Sequence, residues 1–501
     1  MKIARLVKTI CICGPALLAP LAAAQVTDPP VVRDAIVRLR NGVNINDFLA
    51  SISSTYPGTT VVDDIASRNI YRLSLTEGAD PVQVDQFFAN LANQPNSMLR
   101  WGEAGYEART AESRTGSVYV SRPASYAAQF ETQYPTITLG VTQAQQLSTG
   151  RGVAVAILDT GVDASHPAFG AAVRNDGFNT ILNNTDTRDI ARGVDSNGNS
   201  TADEMVGHGT FVAGLVTLVA PETRILPVTV LDSDGVGTTW SIGKGLFYAI
   251  DRDVEVINLS LGSTYKAQIF EDAANEAEAR GIMIVAAVGN SASTSPARYE
   301  YPGQLKETIG VYAVDRNDVL ATFTNYGGDS RSLEALVGAP GASTGDPNAT
   351  IYGPLPGGMY GEWEGTSLST PLMSGGLALL YAQHPVWGSL PPIDPNDPSD
   401  PTTLFETILG TMLPPASVNI SAQNPGAGSL LGLGRIDLEA LISVGPPQPA
   451  PGDINGDGVV DLSDLAQLLA DFASTRSTAD LTADGIVDLS DLAYLLAHFG
   501  H

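Results

Sequence analysis

Cysteine is almost absent from this chain of 501 residues. Its two cysteines, Cys11 and Cys13, both lie in the first 24 residues, so the remainder has neither thiols nor disulfides. An oxidising compartment would therefore neither help nor harm the fold of that remainder. Too little apolar sequence precedes either cysteine to favour a lipid-anchored protein.

Basic residues are also scarce, with 27 Lys and Arg against 54 Asp and Glu. Three of the basic residues lie in the first ten, MKIARLVKTI, and an apolar stretch ending in Ala22-Ala23-Ala24 follows. This pattern predicts a secretory signal peptide over residues 1–24, too short for a stable membrane span. The remaining 24 basic residues leave a net charge of −30, which argues against binding to nucleic acid or anionic membranes and favours a secreted protein. Association with the cell surface stays open.

Histidine is the third scarce residue, and its scarcity narrows the search for a catalytic base. The chain has five histidines, of which His384 precedes a proline and His498 and His501 lie at the C-terminus. His208, in Gly-His-Gly-Thr at the start of an apolar segment, is the best candidate, and His166, in Ser-His-Pro, is its rival.

Two further segments supply the partners that a histidine base needs. Residues 153–161, VAVAILDTG, form an apolar run that predicts a strand buried on both faces, with Asp159 at its C-terminal end. Ser367, in GTSLSTP, precedes a segment that predicts a helix started by proline, so its hydroxyl would lie at a helix N-terminus. A serine nucleophile, a histidine base and an orienting carboxylate together indicate acyl transfer.

The order Asp159, His208, Ser367, in the contexts DTG, GHGT and GTSLSTP, resembles the subtilisin-like serine proteases, or subtilases. The resemblance covers residues 126–445. It implies an α/β fold, a parallel sheet flanked by helices, and hydrolysis of peptide bonds in proteins. Leu368 and Phe211 depart from the residues most frequent in the family, at positions that carry no chemistry.

The resemblance also implies a role for each site residue. Ser367 would attack the peptide carbonyl, His208 would carry the proton, and Asp159 would orient the imidazole. Asn290 would stabilise the oxyanion. The residues expected to bind an extended substrate are Gly235, Val236, Gly237, Ser260, Leu261, Gly262, Ala287, Gly289 and Glu300.

Glu300 precedes a Tyr-Pro pair, and the resemblance places this position at the floor of the primary specificity pocket. A carboxylate there would favour Lys or Arg before the scissile bond. The alternative is that the loop turns Glu300 towards solvent.

Residues 25–115 have their own pattern of apolar spacing. Strand-like alternation over 34–40 and 70–75 and helical spacing over 46–56 and 81–92 predict the order strand-helix-strand-strand-helix-strand. This small α+β, ferredoxin-like unit resembles a subtilase propeptide, which would assist folding and inhibit the site as an intramolecular partner before being cut off. Arg109 and Arg114 are candidate cleavage points if Glu300 prefers basic residues.

The C-terminal end contains a duplication behind a Pro-rich linker at residues 446–452. Over residues 453–501, oxygen side chains recur at calcium-loop spacing, 27 residues apart, each time before a short helix. This small all-α, EF-hand-like unit resembles a type I dockerin module, which would bind calcium and has a cohesin as its possible partner. The expected ligands are Asp453, Asn455, Asp457, Val459, Asp461, Asp464, Asp480, Thr482, Asp484, Ile486, Asp488 and Asp491. Residues 195–204 offer a weaker candidate calcium loop within the peptidase domain, with a polar surface loop as the alternative.

Two other functions are compatible with parts of the sequence. A non-catalytic scaffold could display the dockerin-like module, although it would have no reason to keep four polar site residues. An esterase could use the same serine, but the sequence has two peptide-binding edges and no Gly-x-Ser-x-Gly elbow.

Overall fold

The structure is a computed structural model. It describes residues 32–117, 119–294, 300–328, 330–343, 350–384 and 404–443, and parts of 452–499. The predicted signal peptide and the linker, apart from Gly452, lie outside the described residues. Among the described residues, no helix is long and apolar enough to cross a membrane.

Eighteen strands alternate with helices along the described part of the chain. The strands are β1 Val32–Leu39, β2 Thr60–Ile65, β3 Ile70–Ala79, β4 Leu99–Ala104, β5 Glu107–Arg109, β6 Val120–Arg122, β7 Ala154–Asp159, β8 Phe178–Asn179, β9 Arg224–Thr229, β10 Val236–Thr238, β11 Val256–Leu259, β12 Met283–Ala287, β13 Ile309–Val314, β14 Leu336–Pro340, β15 Ile351–Leu355, β16 Met359–Trp363, β17 Ser417–Val418 and β18 Gly434–Ile436. The helices are α1 Ile45–Ile52, α2 Pro81–Ala92, α3 Ala111–Thr115, α4 Ala127–Glu131, α5 Tyr134–Thr138, α6 Val141–Leu147, α7 His208–Val219, α8 Thr239–Ile250, α9 Gln268–Ala279, α10 Ser330–Glu334, α11 Thr366–Gln383, α12 Leu404–Thr407, α13 Leu438–Ser443, α14 Leu462–Ala470 and α15 Leu489–Ala497.

The N-terminal unit is a four-stranded antiparallel sheet in the order β2-β3-β1-β4, with α1 and α2 in the connections. Its core packs Phe48 and Phe88 from the helices against the sheet. The observed order of elements is the one that the apolar spacing predicted. Its role as a propeptide stays a prediction.

The central sheet has nine strands in the order β17-β18-β14-β13-β12-β11-β7-β9-β8. All neighbouring pairs are parallel except β17 with β18. Every residue of β7 is buried, because alternate side chains pack on opposite faces of the sheet. Val155 and Ile157 join the core that contains α7 and α11, and Ala156 and Leu158 join the core that contains α8 and α9. Burial on both faces explains why this strand lacks polar alternation.

The N-terminal unit rests on helices α8 and α9 through polar contacts. Glu103, at the end of β4, accepts hydrogen bonds from the backbone N–H groups of Gln268 (2.6 Å) and Ile269 (3.1 Å), and so caps the start of α9. Arg68 donates to Asp251 and Glu276 from a largely buried position. These contacts set the position of the chain that leaves β4 and enters the site.

At the C-terminal end, α14 and α15 pack together around a small core of Val460, Leu468, Ala479, Val487 and Leu495. Each helix follows one of the two repeats, so the duplication in the sequence corresponds to two similar helical segments. The identity of this unit as a calcium-binding docking module stays a prediction.

Candidate active site

Asp159 and His208 meet at the C-terminal edge of the central sheet. Asp159 is the last residue of β7, and His208 is the first residue of α7, after Gly207 in a left-handed conformation (φ 98°). The His208 Nδ1 atom lies 2.8 Å from Asp159 Oδ1, and both side chains are fully buried. The same carboxylate oxygen accepts a 2.7 Å hydrogen bond from the Thr160 N–H. The imidazole is therefore held through Nδ1, which leaves Nε2 for a second partner.

A second buried carboxylate, Asp189, fixes the start of α7. It accepts hydrogen bonds from the N–H groups of Gly207 (2.9 Å) and Thr210 (3.1 Å) and from the Thr210 hydroxyl (2.7 Å). Burial raises the pKa of Asp189 to about 6, against these hydrogen bonds, which lower it. Asp189 was not predicted from the sequence, because nothing in its local pattern distinguishes it from other loop aspartates.

Ser367 lies inside the first turn of α11, which corrects the prediction of a helix started by proline. The helix begins at Thr366, and Pro371 lies within it. Since proline has no N–H to offer the preceding turn, the Ser367 carbonyl must find another donor. The Ser260 hydroxyl provides it at 2.7 Å, while the Ser367 hydroxyl is 3.1 Å from the Ser260 carbonyl oxygen. Ser260 thus orients the serine as well as lying at the cleft.

Asn290 lies directly beyond β12, after Gly289 in a left-handed conformation (φ 101°). Its amide oxygen accepts hydrogen bonds from the Thr366 N–H (3.0 Å) and the Thr366 hydroxyl (2.9 Å). The Thr366 N–H can only donate, so it fixes the amide oxygen towards Thr366 and leaves the NH₂ group to donate to a carboxylate oxygen of Glu112 at 2.9 Å. This is the placement that an oxyanion donor needs.

The site is occupied by the carboxylate of Glu112, from α3. Glu112 Oε2 accepts a 2.6 Å hydrogen bond from the Ser367 hydroxyl and lies 3.3 Å from His208 Nε2, and Oε1 accepts a 2.9 Å bond from Asn290 Nδ2. A Cβ atom added to Gly365 would lie 1.8 Å from Oε1, so this glycine makes room for the carboxylate. Glu112 therefore stands between the serine and the histidine and holds the amide donor of Asn290. Glu112 was not predicted from the sequence.

Glu112 changes the protonation of the histidine. Burial lowers the pKa of His208, but the Asp159 and Glu112 carboxylates outweigh burial and raise it to about 10. Burial acts in the opposite sense on Glu112, yet the His208 and Ser367 contacts hold its pKa below the usual value. The two groups form an ion pair at neutral pH, and a protonated imidazole cannot accept a proton from serine.

The two predicted peptide-binding edges lie on either side of the chain that carries Glu112. Strand β5 pairs with β10 in antiparallel register, with Val236 opposite Arg109 and Gly237 opposite Ala108. On the other side, Arg109 exchanges two 2.9 Å backbone hydrogen bonds with Gly262. The Thr110 N–H donates to the Gly235 carbonyl at 3.1 Å. Both edges thus bind an extended backbone, and here that backbone belongs to residues 107–110.

The remaining predicted substrate residues lie at the base of this cleft. Leu261 and Ala287 are buried, and Leu261 belongs to the core that contains α8 and α9. Glu300 is only 1% exposed, which excludes the alternative in which it turns to solvent. A Cβ atom added to Gly262 or Gly289 would lie within 2.9 Å of Glu300 atoms, so both glycines border its pocket.

The rival histidine lies elsewhere. His166 is 2.9 Å from the Met359 carbonyl oxygen through Nε2, and its Nδ1 accepts from the Ala168 N–H at 3.1 Å. Both ring nitrogens are engaged, and the ring packs edge-on against Tyr360.

Most of the predicted calcium ligands lie outside the described residues, with the exceptions of Asp464, Asp488 and Asp491. Asp464 and Asp491 are buried and accept backbone hydrogen bonds from Ile454 and Asp488, respectively. In the weaker candidate loop, Asp195 accepts from the N–H groups of Asn199 and Ser200. Within the described ranges, no group of three or more His, Cys, Asp or Glu side chains is arranged to hold a metal ion. Calcium binding stays a prediction.

Comparison with known proteins finds subtilases. Residues 150–408 match the model of the Subtilase family. Thermitase of Thermoactinomyces vulgaris is 33% identical over 261 residues, which are 50% of this chain and 82% of thermitase. Subtilisin of Bacillus pumilus is 34% identical over 249 residues, covering 48% of this chain and 80% of that protein. Subtilisin E of Bacillus subtilis is equally similar, but the match spans only 58% of it.

Among solved structures, fervidolysin from Fervidobacterium pennivorans, described as a keratinolytic enzyme related to subtilisin, matches with a TM-score of 0.61 and 19% identity. The match covers 84% of this chain and 62% of fervidolysin, and at this identity it establishes the shared fold alone. The family match covers residues 150–408, a range that contains Asp159, His208, Asn290 and Ser367. The chain belongs to the Subtilase family of serine endopeptidases.

Proposed function

We propose that this protein is a secreted serine endopeptidase, synthesised as a latent precursor that removes its own N-terminal unit. The observation that carries the proposal is the buried cluster of Asp159, His208, Ser367 and Asn290, with the Glu112 carboxylate bound where a substrate carbonyl would react. Both cleft edges are already paired with a peptide backbone, which is the binding mode of an extended protein substrate.

The catalytic roles follow from this geometry once Glu112 has left. Asp159 keeps the Nδ1 proton on His208, so Nε2 is the atom that removes the proton from the Ser367 hydroxyl. Ser367 then attacks the peptide carbonyl, and the proton passes from Nε2 to the leaving amine. The Asn290 NH₂ group, already oriented by Thr366, donates to the oxyanion. Water completes the cycle by hydrolysing the acyl-enzyme with the same base.

Latency follows from the same contacts. Residues 107–110 fill the cleft as a strand, while Glu112 draws the serine and the amide donor onto one carboxylate. A carboxylate has no leaving group that Ser367 could displace, so Glu112 blocks the serine without itself reacting. The N-terminal unit, which Glu103 and Arg68 attach to α8 and α9, keeps the blocking segment in place.

The ends of the chain support the remaining parts of the proposal. The basic and then apolar first 24 residues favour secretion, and the strongly acidic composition suits an extracellular protein. The duplicated aspartate-rich loops have the oxygen donors that calcium prefers, so Asp464 and Asp491 and the loop residues before them would hold the ions. A calcium-dependent module of this kind would serve to dock or anchor the enzyme.

A fluorophosphonate probe, followed by casein digestion, tests the proposed activity. The secreted protein should be labelled on Ser367 and should digest casein, whereas Ser367→Ala should do neither. Mass spectrometry should find the N-terminal unit removed from wild type and retained in Ser367→Ala. Equal removal from both would refute self-processing, and an unlabelled wild type would favour a non-catalytic scaffold.

A further inference from the structure

The chain that leaves the N-terminal unit is bound to the peptidase domain on both sides of the catalytic serine. Before the serine, strand β5 and Thr110 form backbone hydrogen bonds with the two edges of the cleft. After it, strand β6 pairs with β16, and the Ser117 hydroxyl accepts a 3.3 Å hydrogen bond from the Trp363 indole N–H. A cut that leaves both sets of contacts intact falls between Thr110 and Ser117.

The register of the strand in the cleft indicates one bond within this window. Arg109 and Gly262 exchange two backbone hydrogen bonds, so they are directly opposed in an antiparallel pair. If the chain continued in extended form, Ala111 would lie opposite Ser260, because each is two residues further along the paired backbones. Ser260 is the residue that contacts the nucleophile, since its hydroxyl donates to the Ser367 carbonyl at 2.7 Å and its carbonyl lies 3.1 Å from the Ser367 hydroxyl. Extension therefore brings the carbonyl of Ala111 to the serine.

The residue that follows this carbonyl already contacts the nucleophile. Glu112 Oε2 accepts a 2.6 Å hydrogen bond from the Ser367 hydroxyl, and both Ala111 and Glu112 are buried. The bond between them thus lies between a residue that the register places beside Ser367 and a residue that touches Ser367 directly.

Helix α3 keeps this bond from reacting in the precursor. The Ala111 carbonyl accepts a 3.3 Å hydrogen bond from the Thr115 hydroxyl, and the Glu112 carboxylate lies on Ser367. The helix has only five residues, and a helix this short has little stability of its own. Unwinding it would extend the chain along the cleft and move the carboxylate away from the serine.

We propose that the protease cuts its own precursor between Ala111 and Glu112. The proposal rests on the proposed endopeptidase function and names the bond that self-processing breaks. Ser367 attacks the Ala111 carbonyl carbon, and His208 transfers the serine proton to the nitrogen of Glu112, which leaves as a new α-amine. Water then hydrolyses the acyl-enzyme and leaves a carboxylate on Ala111. Residues 112–122 stay with the peptidase domain, because β6 remains paired with β16.

The two arginines near this bond do not fit the same register. Arg109 lies opposite Gly262 and therefore comes two residues too early. Arg114 comes three residues after Ala111, inside α3, and its guanidinium donates a 2.9 Å hydrogen bond to the Gly262 carbonyl. Cleavage after either arginine, which the sequence offers as an alternative, would give a product of different mass.

Mass measurement and terminal sequencing of the first two products test the proposal, with the secreted full chain sampled from the start of processing. Wild type should give one fragment that ends at Ala111 and a complementary fragment that begins at Glu112, whereas Ser367→Ala should stay whole. Both termini are read, because fragments shortened by later trimming no longer add up to the whole chain. First products that end at Arg109 or Arg114 would overturn the proposal.

Ala111→Pro tests the register. Proline is tolerated at the first position of a helix, and Thr110 already has the extended conformation that suits a residue before proline (φ −63°, ψ 148°), so the precursor should fold. Proline has no N–H to donate to the Ser260 carbonyl when the chain extends, so the first cut should slow at least about fivefold, the effect of one lost backbone hydrogen bond. Arg109→Gln and Arg114→Gln are the controls and should be cut at the wild-type bond. A wild-type rate for Ala111→Pro would contradict the proposal.

The fluorophosphonate probe and casein separate failure of this proposal from failure of the proposed function. If wild type is labelled and digests casein but its first products have other termini, the proposed bond is wrong while the endopeptidase function stands. If wild type is neither labelled nor active on casein, the proposed function fails and the proposed bond with it.

Discussion

Replacing Glu112 by glutamine should make Ser367 accessible in the precursor before the N-terminal unit is cleaved. The substitution keeps the size of the side chain and removes the charge that Ser367, Asn290 and His208 share. A hydrogen bond to a charged group contributes about 1.5–3 kcal/mol and a neutral bond about 1 kcal/mol, so two such bonds should lose about 1–4 kcal/mol together. That loss corresponds to a population of exposed Ser367 that is roughly 5- to 1000-fold larger.

The protonation of His208 adds to this effect. With Glu112 gone, one of the two carboxylates that hold the His208 pKa near 10 is removed, so more of the imidazole is neutral at physiological pH. Because the pKa of His208 is raised from its ordinary value of 6.5 to about 10, the stabilisation by the His208–Glu112 ion pair is fully present below pH 6.5. This stabilisation is lost as the pH rises through about 10 and the imidazole loses its proton. The labelling of the wild-type precursor should therefore increase towards pH 10, and the rise for Glu112→Gln should begin at a lower pH.

The assay is the rate at which a fluorophosphonate probe labels the uncut precursor, resolved by mass from the processed enzyme. Glu112→Gln should be labelled at least about fivefold faster than wild type. Glu107→Gln is the control, because Glu107 lies in the same segment but is partly exposed and pairs with Arg109. Equal labelling rates for wild type and Glu112→Gln would refute the role assigned to this carboxylate.

Three further predictions concern the oxyanion donor, the N-terminal unit and calcium. Asn290→Ala should lower kcat by a factor of about 10²–10³ with little change in KM, measured after active-site titration. A change confined to KM would contradict the role of Asn290 as an oxyanion donor. Glu103→Ala should remove the carboxylate that caps the N–H groups of Gln268 and Ile269, and so should speed release of the cleaved N-terminal unit. Gel filtration measures the release, and co-elution of the two parts to the same extent as in wild type would contradict this prediction. Chelation by EGTA should make residues 453–501 sensitive to limited proteolysis and added calcium should restore protection, whereas an identical pattern in both conditions would argue against a calcium module.

The sequence alone indicated the chemistry because each proposed catalytic residue lies in a distinctive local context. Asp159 ends a uniformly apolar strand, and a strand buried on both faces has to be apolar throughout. The element order of residues 32–104 was also predictable, since side-chain periodicity is a property of short segments. Ser367 was found by its motif, although the start of its helix was misplaced: Pro371 is tolerated inside α11 because Ser260, 107 residues earlier, supplies the missing donor.

What occupies the site was decided only by tertiary structure. Glu112 is separated from Ser367 by 255 positions, and it reaches the serine because β5 docks between two edges of another unit. Asp189 and Glu300 are likewise buried beside partners distant in sequence, Thr210 and Arg114, respectively. Local patterns record which face of a segment is buried and which residues suit a reaction. They do not record which charges meet across the fold, since that depends on how separately formed units pack together.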